Sequence, residues 1–127
     1  MSIGACDDTK SKIPTIAVNF TIDLNDTQYH KLDSYGGFEY FTGGYSGILI
    51  YNNNGEFIAY DRACPYDIDC EKLNINEDEL DNISHANCCK SEFSILYGSV
   101  KKGPATQTLK SYRCFYNANT KILQIKN

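Results

Sequence analysis

Short strand-like stretches, each followed by turn residues, are the feature that most constrains how this chain can fold. The first stretch has apolar residues at every second position, namely Ile16, Val18, Phe20 and Ile22. Because strand side chains point alternately to two faces, this period of two indicates a half-buried strand. Further strand-like stretches lie at 38–42, 47–51, 56–62, 91–97, 99–101, 109–116 and 121–126. Together they predict an all-β chain.

Turn residues separate these stretches. The segment 52–55, Asn-Asn-Asn-Gly, is typical of a tight hairpin turn, since Asn and Gly tolerate positive φ. A second tight turn is expected at 117–120. One helical turn is expected near 28–32, capped by Asp26 or Thr27. Segment 63–92 has no regular period and is expected to form loops. Short strands joined in this way favour a β-sandwich or barrel.

Length and charge restrict the function classes. A chain of 127 residues suits one domain, and we expect a polar tether over 1–14 and a single β domain over 15–127. The net charge of -4 argues against a nucleic-acid binder, which would need a basic face. The sequence has no apolar run close to the ~20 residues that a membrane-spanning helix requires.

Cysteine is the most unusual part of the composition, with six residues in the chain. Such a count indicates metal binding in a cytosolic protein and disulfides in an exported one. Cys114 alternates with Tyr112 and Tyr116, and we expect it to be a buried free thiol that packs as a small apolar side chain.

The N-terminal cysteine has a distinct setting. Cys6 follows Ile3-Gly4-Ala5 and precedes a short polar stretch at 7–12. This arrangement resembles the lipobox of bacterial lipoproteins, in which the cysteine becomes the lipidated first residue of the mature protein. The resemblance implies a lipid on Cys6 and a domain in the periplasm or at the cell surface. The membrane would then be contacted only through the acyl anchor.

The order of motifs from residue 47 onward carries a second resemblance. A hairpin at 47–62 leads into Cys64-Pro65-Tyr66, and 88–93 reads Cys-Cys-Lys-Ser-Glu-Phe. Gly-Pro-Ala at 103–105 and two closing strands follow. This order resembles the Rieske iron–sulfur domain, which has Cys-x-His in one loop, Cys-x-x-His-Gly-Ser-x-Phe in another and a Gly-Pro-Ala loop over the cluster. The resemblance implies a Rieske-like antiparallel β-sandwich or barrel with two cysteine-bearing loops.

The ligands of the Rieske cluster are poorly matched. The first-loop cysteine falls on Cys64, but the first-loop histidine falls on Tyr66. In the second loop the family cysteine falls on Ala86 and the family histidine on Cys89. Lys90 stands where glycine is usual, and His85 lies one residue from the cysteine position. Because a Rieske centre needs two thiolates and two imidazoles, we expect no standard cluster and no cofactor.

Many Rieske domains also have a disulfide between the two loops. Its positions fall on Cys70 and Cys88, which are both cysteines here. The resemblance therefore implies a Cys70–Cys88 disulfide, and it leaves Cys64 and Cys89 to pair across the same loops. Each link closes a loop of roughly 20 residues and would stabilise the fold by about 3 kcal/mol.

Three functions remain open. The first is a binding or structural module for an unidentified protein partner, without enzymatic activity, in which the stapled loops serve as a docking surface. The second is an electron-transfer protein that holds [2Fe–2S] or another metal through four thiolates. Those ligands would be Cys64, Cys70, Cys88 and Cys89. The third is a dithiol redox enzyme that uses the Cys88-Cys89 pair.

Overall fold

The computed structural model describes residues 13–79, 81–85 and 90–127. Within these residues the elements are antiparallel strands and one short 3₁₀ helix, which confirms the predicted all-β class. The chain divides into two compact units. The six-strand unit contains Thr15–Asp61 and Ser111–Asn127, and the four-strand unit contains Arg62–Lys110 with the described residues Ile13 and Pro14. The expectation of one domain over 15–127 stays a prediction.

The strands of the six-strand unit are β1 (Asn19–Asp23), β2 (Phe38–Phe41), β3 (Ile48–Asn53), β4 (Glu56–Asp61), β9 (Ser111–Asn117) and β10 (Ile122–Lys126). They form one antiparallel sheet with the order β1-β10-β9-β4-β3-β2. Each of them overlaps a stretch that the sequence predicts as a strand, and β1, β3 and β9 end one or two residues later than predicted. The pairing of β4 with β9 covers two residue pairs, with Ala59 opposite Tyr112 and Tyr60 opposite Ser111.

Apolar residues of this sheet form a dry core. Ile48, Ile50, Leu123 and Ile125 are fully buried and belong to one hydrophobic cluster with Ile22. Because β3 is apolar on both faces, it lies inside the sheet between two partners, as its sequence indicates.

The first strand begins later than its alternation suggests. Its partner β10 ends at Lys126, which lies opposite Asn19, so no ladder continues toward Ile16. Ile16 is 39% exposed as a result. The expected start of β1 at Ile16 is therefore wrong by three positions, because apolar period alone does not show where the partner strand ends.

Two local predictions in this unit are confirmed. The β3–β4 hairpin turns at Asn54 and Gly55, with φ values of 54° and 92°, and Asn53 lies opposite Glu56. The 3₁₀ helix spans Thr27–Asp33, and the Asp26 side chain accepts a hydrogen bond from the Gln28 N–H at its start. In both places a local side-chain or backbone preference decides the conformation.

The four-strand unit is an antiparallel sheet with the order β5-β6-β7-β8. Its strands are β5 (Asn74–Ile75), β6 (Asn82–Ser84), β7 (Glu92–Ser94) and β8 (Val100–Lys102). The expectation of loops throughout 63–92 is therefore wrong at β5 and β6. Strands of two or three residues are too short to show an alternation, although Ile75 and Ile83 are buried as a cross-strand pair.

The strand expected over 91–97 is also shorter than predicted. It ends at Ser94, whose carbonyl accepts a hydrogen bond of 2.8 Å from the Gly98 N–H. Phe93 and Ile95 are buried on either side of this end, and Tyr97 at the turn is 78% exposed. No helix in the described part of the chain is long and apolar enough to cross a membrane.

Candidate functional site

The first cysteine loop, residues 63–72, is closed at its base by one arginine. Arg62 Nε donates to the Leu73 carbonyl at 2.9 Å, and Arg62 Nη2 donates to Asn74 Oδ1. The Leu73 N–H donates in return to the Arg62 carbonyl at 2.8 Å. These bonds satisfy the polar groups at both ends of the loop and hold the ends side by side.

Inside the loop, two successive turns decide which side chains are presented. The Asp67 N–H donates to the Cys64 carbonyl at 3.1 Å, and the Cys70 N–H donates to the Asp67 carbonyl at 3.2 Å. Cys64 is 1% exposed, whereas Tyr66 is 51% exposed. The loop therefore buries its first cysteine and presents an aromatic ring to solvent.

The six cysteines are only partly covered by the structure. Cys6, Cys88 and Cys89 lie outside the described residues, so the lipidation and both disulfide pairings stay predictions. Among the described residues, Cys114 has a free thiol. Cys64 and Cys70 are not among the free thiols.

A histidine–glutamate contact brings the first loop beside β6. His85 Nε2 lies 2.8 Å from Glu71 Oε2, and the two side chains are 19% and 65% exposed. A pair this open to solvent contributes little to stability. The contact shows instead how the two loops are placed. Glu71 directly follows Cys70, and His85 precedes the second cysteine loop, so the contact brings the two loops near each other.

The second loop is tied to the Gly-Pro-Ala segment. Ser91 is fully buried, and its Oγ accepts a hydrogen bond of 2.8 Å from the Ala105 N–H. Phe93, two residues later, is also fully buried. Lys90 lies at the start of this described stretch with a φ of 59°, a left-handed conformation that favours glycine. In the Rieske family the Gly-Pro-Ala loop lies over the cluster, and here the structure brings Ala105 of that segment to Ser91.

The described donor groups do not suit a standard Rieske centre. Tyr66 supplies a phenol, not an imidazole, and His85 is engaged by Glu71. No group of three or more His, Cys, Asp and Glu side chains in the described ranges is arranged to hold a metal ion. The two imidazoles that such a centre needs are therefore not supplied by these residues. A four-thiolate site would involve Cys88 and Cys89, which lie outside the described residues.

A buried carboxylate in the six-strand unit was not recognised from the sequence. Asp61 is 1% exposed and accepts hydrogen bonds from the Tyr45 N–H at 2.7 Å, the Ser46 N–H at 3.0 Å and the Tyr112 hydroxyl at 2.8 Å. Burial and this bond to Asp61 raise the pKa of the Tyr112 phenol. Gly44 approaches so closely that a Cβ there would lie 2.5 Å from Asp61 Oδ2. An aspartate at the end of an apolar strand, before Arg62, was the available signal.

The Cys114 thiol is expected to react slowly with alkylating reagents. Burial raises its pKa to about 11, so at pH 8 the nucleophilic thiolate is scarce. Iodoacetamide labelling, mapped to the peptide that contains Cys114, should accelerate as the pH rises toward 11. In urea the thiol should regain an ordinary pKa of about 8.5 and react readily at pH 8.

The raised pKa of the Cys114 thiol also makes the free energy of unfolding depend on pH. The folded state holds the Cys114 proton more tightly than the unfolded state. The contribution of this thiol to the free energy of unfolding is therefore complete below the pKa that the thiol has in the unfolded state. It is lost as the pH rises through the pKa of the folded state. In urea unfolding, Cys114→Ser should remove this part of the decrease in stability at alkaline pH. Rapid labelling of Cys114 in the folded protein at pH 7 would contradict the raised pKa.

Comparison with known proteins supports the fold. No protein-family model matches the chain, and no curated protein matches it. Among solved structures, the chain is similar to the ferredoxin of carbazole 1,9a-dioxygenase from Nocardioides aromaticivorans IC177, a Rieske-type ferredoxin. The likeness covers 75% of this chain and 90% of that chain, with a TM-score of 0.51 and 12% identity. The chain therefore has a Rieske-like, nearly all-β fold.

Proposed function

We propose that this protein is an extracytoplasmic, lipid-anchored binding or structural module, built on a degenerate Rieske-like fold without a standard cluster. It is not an enzyme in this proposal, and it acts through a protein partner. The tip formed by the first cysteine loop is the proposed docking surface. Cys6 carries the proposed acyl anchor and lies outside the described residues.

The exposed ring of Tyr66 is the observation that carries this proposal. The position corresponds by resemblance to a cluster ligand, yet the side chain is half exposed while Cys64 is buried. Its loop is closed by the Arg62 hydrogen bonds, so the ring is presented on a defined backbone. Tyrosine is enriched at protein interfaces because it combines apolar area with a polar tip and has little rotamer entropy to lose.

Disulfides across the two loops complete the proposal. The Cys70–Cys88 and Cys64–Cys89 pairs would hold the tip in shape without a metal. Support comes from Cys64 and Cys70, neither of which has a free thiol, and from the 2.8 Å contact between Glu71 and His85. Both links close long loops and would lower the conformational entropy of the unfolded chain.

The first experiment counts metal and thiols. The protein is purified with and without air, its visible absorption is recorded, and iron, zinc and free thiols are measured. We expect a colourless, metal-free protein in which the four loop cysteines do not react with thiol reagents. A brown protein with about two irons per chain would overturn the proposal. Cys64, Cys70, Cys88 and Cys89 would then be ligands in an electron-transfer protein.

The docking role is tested with a photo-crosslinking amino acid. The residue is placed at Tyr66 and, in a matched variant, at Tyr35, which is 69% exposed in the six-strand unit. We expect one dominant crosslinked protein from position 66 in intact cells, and none of that species from position 35. Tyr66→Ala should then lower co-purification of that same protein. Equal crosslinking from both positions would show that the loop has no specific docking role.

The anchor is tested separately. Cells expressing the natural chain should incorporate labelled palmitate into the protein, and Cys6→Ser should abolish the label and release the protein from membranes. Cys114→Ser is the control, because it removes a cysteine without touching the proposed lipobox. Retention of Cys6→Ser in the membrane fraction would refute the lipid anchor.

A further inference from the structure

The four-strand unit contains a concave cavity of about 320 Å³ on its sheet. A volume of this size suits a small molecule. Its lining is polar and is formed by Asn76, Ser84, His85, Lys90, Glu92 and Lys102. The described lining residues lie on β6, β7 and β8 or within two residues of β5, β6 and β7, so the cavity is on this sheet.

The lining has more positive than negative charge. The two lysines, Lys90 and Lys102, make no ion pair within the described residues. The carboxylate of Glu92 already accepts a hydrogen bond of 2.8 Å from Asn82 Nδ2. Two lysines that line one concavity raise the local positive potential even in a chain with a net charge of -4, so each would gain by binding an anion.

The backbone at Lys90 gives a second, independent indication. Its φ of 59° is costly for a side chain with a Cβ, and glycine would adopt it freely. Residues held in such conformations by the surrounding structure are concentrated at active sites and ligand-binding sites. Here the residue in this conformation lines the cavity and has a positively charged side chain.

Lys102 is placed in the cavity by strand register. It lies opposite Glu92 in the β7–β8 ladder, and both residues line the cavity. The neighbouring Lys101 projects to the other face, where its Nζ lies 3.5 Å from Asp81 Oδ2. Two adjacent lysines on one edge strand therefore have different surroundings, and only one of them lines the cavity.

We propose that this cavity is a binding site for the phosphate group of a small soluble molecule. Lys90 and Lys102 supply point charges, which suit a tetrahedral phosphate, and no arginine in the lining offers the planar fork that selects a carboxylate. The Ser84 hydroxyl and the Asn76 amide can donate to the phosphate oxygens. The volume leaves room for a small organic group beyond the phosphate. This site does not depend on the docking role of Tyr66.

Calorimetric titration of the purified chain with inorganic phosphate tests the site, with chloride used to keep the ionic strength constant. We expect saturable binding that Lys90→Gln and Lys102→Gln each weaken by at least about tenfold. Lys101→Gln removes the same charge from the adjacent residue and should change the affinity by less than about twofold. Acetate, with one planar carboxylate, should bind more weakly than phosphate.

Lys90→Gly separates a binding role from a structural one. It relieves the left-handed backbone, so the melting temperature should rise by roughly 3 °C while phosphate binding is lost. No saturable binding up to about 10 mM phosphate would overturn the proposal. So would an equal loss of affinity in Lys101→Gln, since the effect would then be one of net charge. Unchanged affinity in Lys90→Gly would likewise overturn it.

Discussion

Asp61→Ala is expected to lower the free energy of unfolding by about 4 kcal/mol. The substitution leaves two backbone N–H groups, of Tyr45 and Ser46, and the Tyr112 hydroxyl without their common acceptor in a buried position. Unpaired buried donors cost more than the hydrogen bonds contribute when they are made. Urea unfolding followed by circular dichroism at neutral pH measures the change.

Two variants control this experiment. Asp33→Ala removes the same charge from a surface pair, in which Lys121 Nζ lies 3.0 Å from Asp33 Oδ2, and should cause a much smaller decrease. Tyr112→Phe removes only one of the three donors and should cost about 1 kcal/mol. If Asp61→Ala and Asp33→Ala were equally stable, the buried carboxylate would not organise the segment from Gly44 to Ser46.

Gly37→Ala is expected to destabilise the six-strand unit by about 3 kcal/mol or more. A Cβ at this position would lie 1.7 Å from the carbonyl oxygen of Lys31, within the 3₁₀ helix. The same residue is held on both sides, since its N–H donates to the Ser34 carbonyl at 2.9 Å and its carbonyl accepts from the Asn52 N–H at 2.9 Å. The clash involves backbone, so relief requires the helix or the strand contact to move.

The adjacent glycine is the matched control. Gly36 has a φ of 84°, but a Cβ there meets nothing within 4 Å. Gly36→Ala should therefore cost only the left-handed backbone preference, about 1 kcal/mol. Thermal melts of the two variants should differ clearly, with Gly37→Ala melting at the lower temperature. The reverse order would mean that backbone conformation, not close approach, decides this turn.

The proposed docking tip and the proposed phosphate site lie in the same unit and can fail independently. Crosslinking at Tyr66 depends on an exposed ring, and phosphate binding depends on the ammonium groups of Lys90 and Lys102. A colourless protein that gives the specific crosslink but does not bind phosphate would support the binding-module proposal and refute the phosphate site. A colourless protein that binds phosphate without a specific crosslink would point to a small-molecule binding protein with the same fold.

Local preferences in the sequence were sufficient to predict much of the secondary structure of the six-strand unit. The turn at Asn54 and Gly55 needs positive φ, and the two residues present are among those that tolerate it. The cap at Asp26 follows from the donor groups at the start of the 3₁₀ helix. These features depend on neighbours in the chain, so a single sequence was enough to predict them.

Only tertiary structure decided the short strands and the polar sites. Strands β5 and β6 are too short for a period to be visible, and they exist because each finds a partner strand. Asp61 looks like an ordinary polar strand end until Tyr45, Ser46 and Tyr112 converge on it. No spacing in the sequence relates these three donors, because they are brought together by separate segments.

The cysteine loops show both kinds of information in one region. Motif order was enough to predict a Rieske-like fold, and the structure then brought Ser91 and Ala105 together. It did not distinguish buried Cys64 from exposed Tyr66, nor did it separate Lys101 from Lys102. Those differences arise from turn geometry and strand register. The sequence by itself determined the longer strands and the hairpin turn, because these follow from local preference. The tertiary contacts decided the short strands and which side chains face solvent, core or cavity.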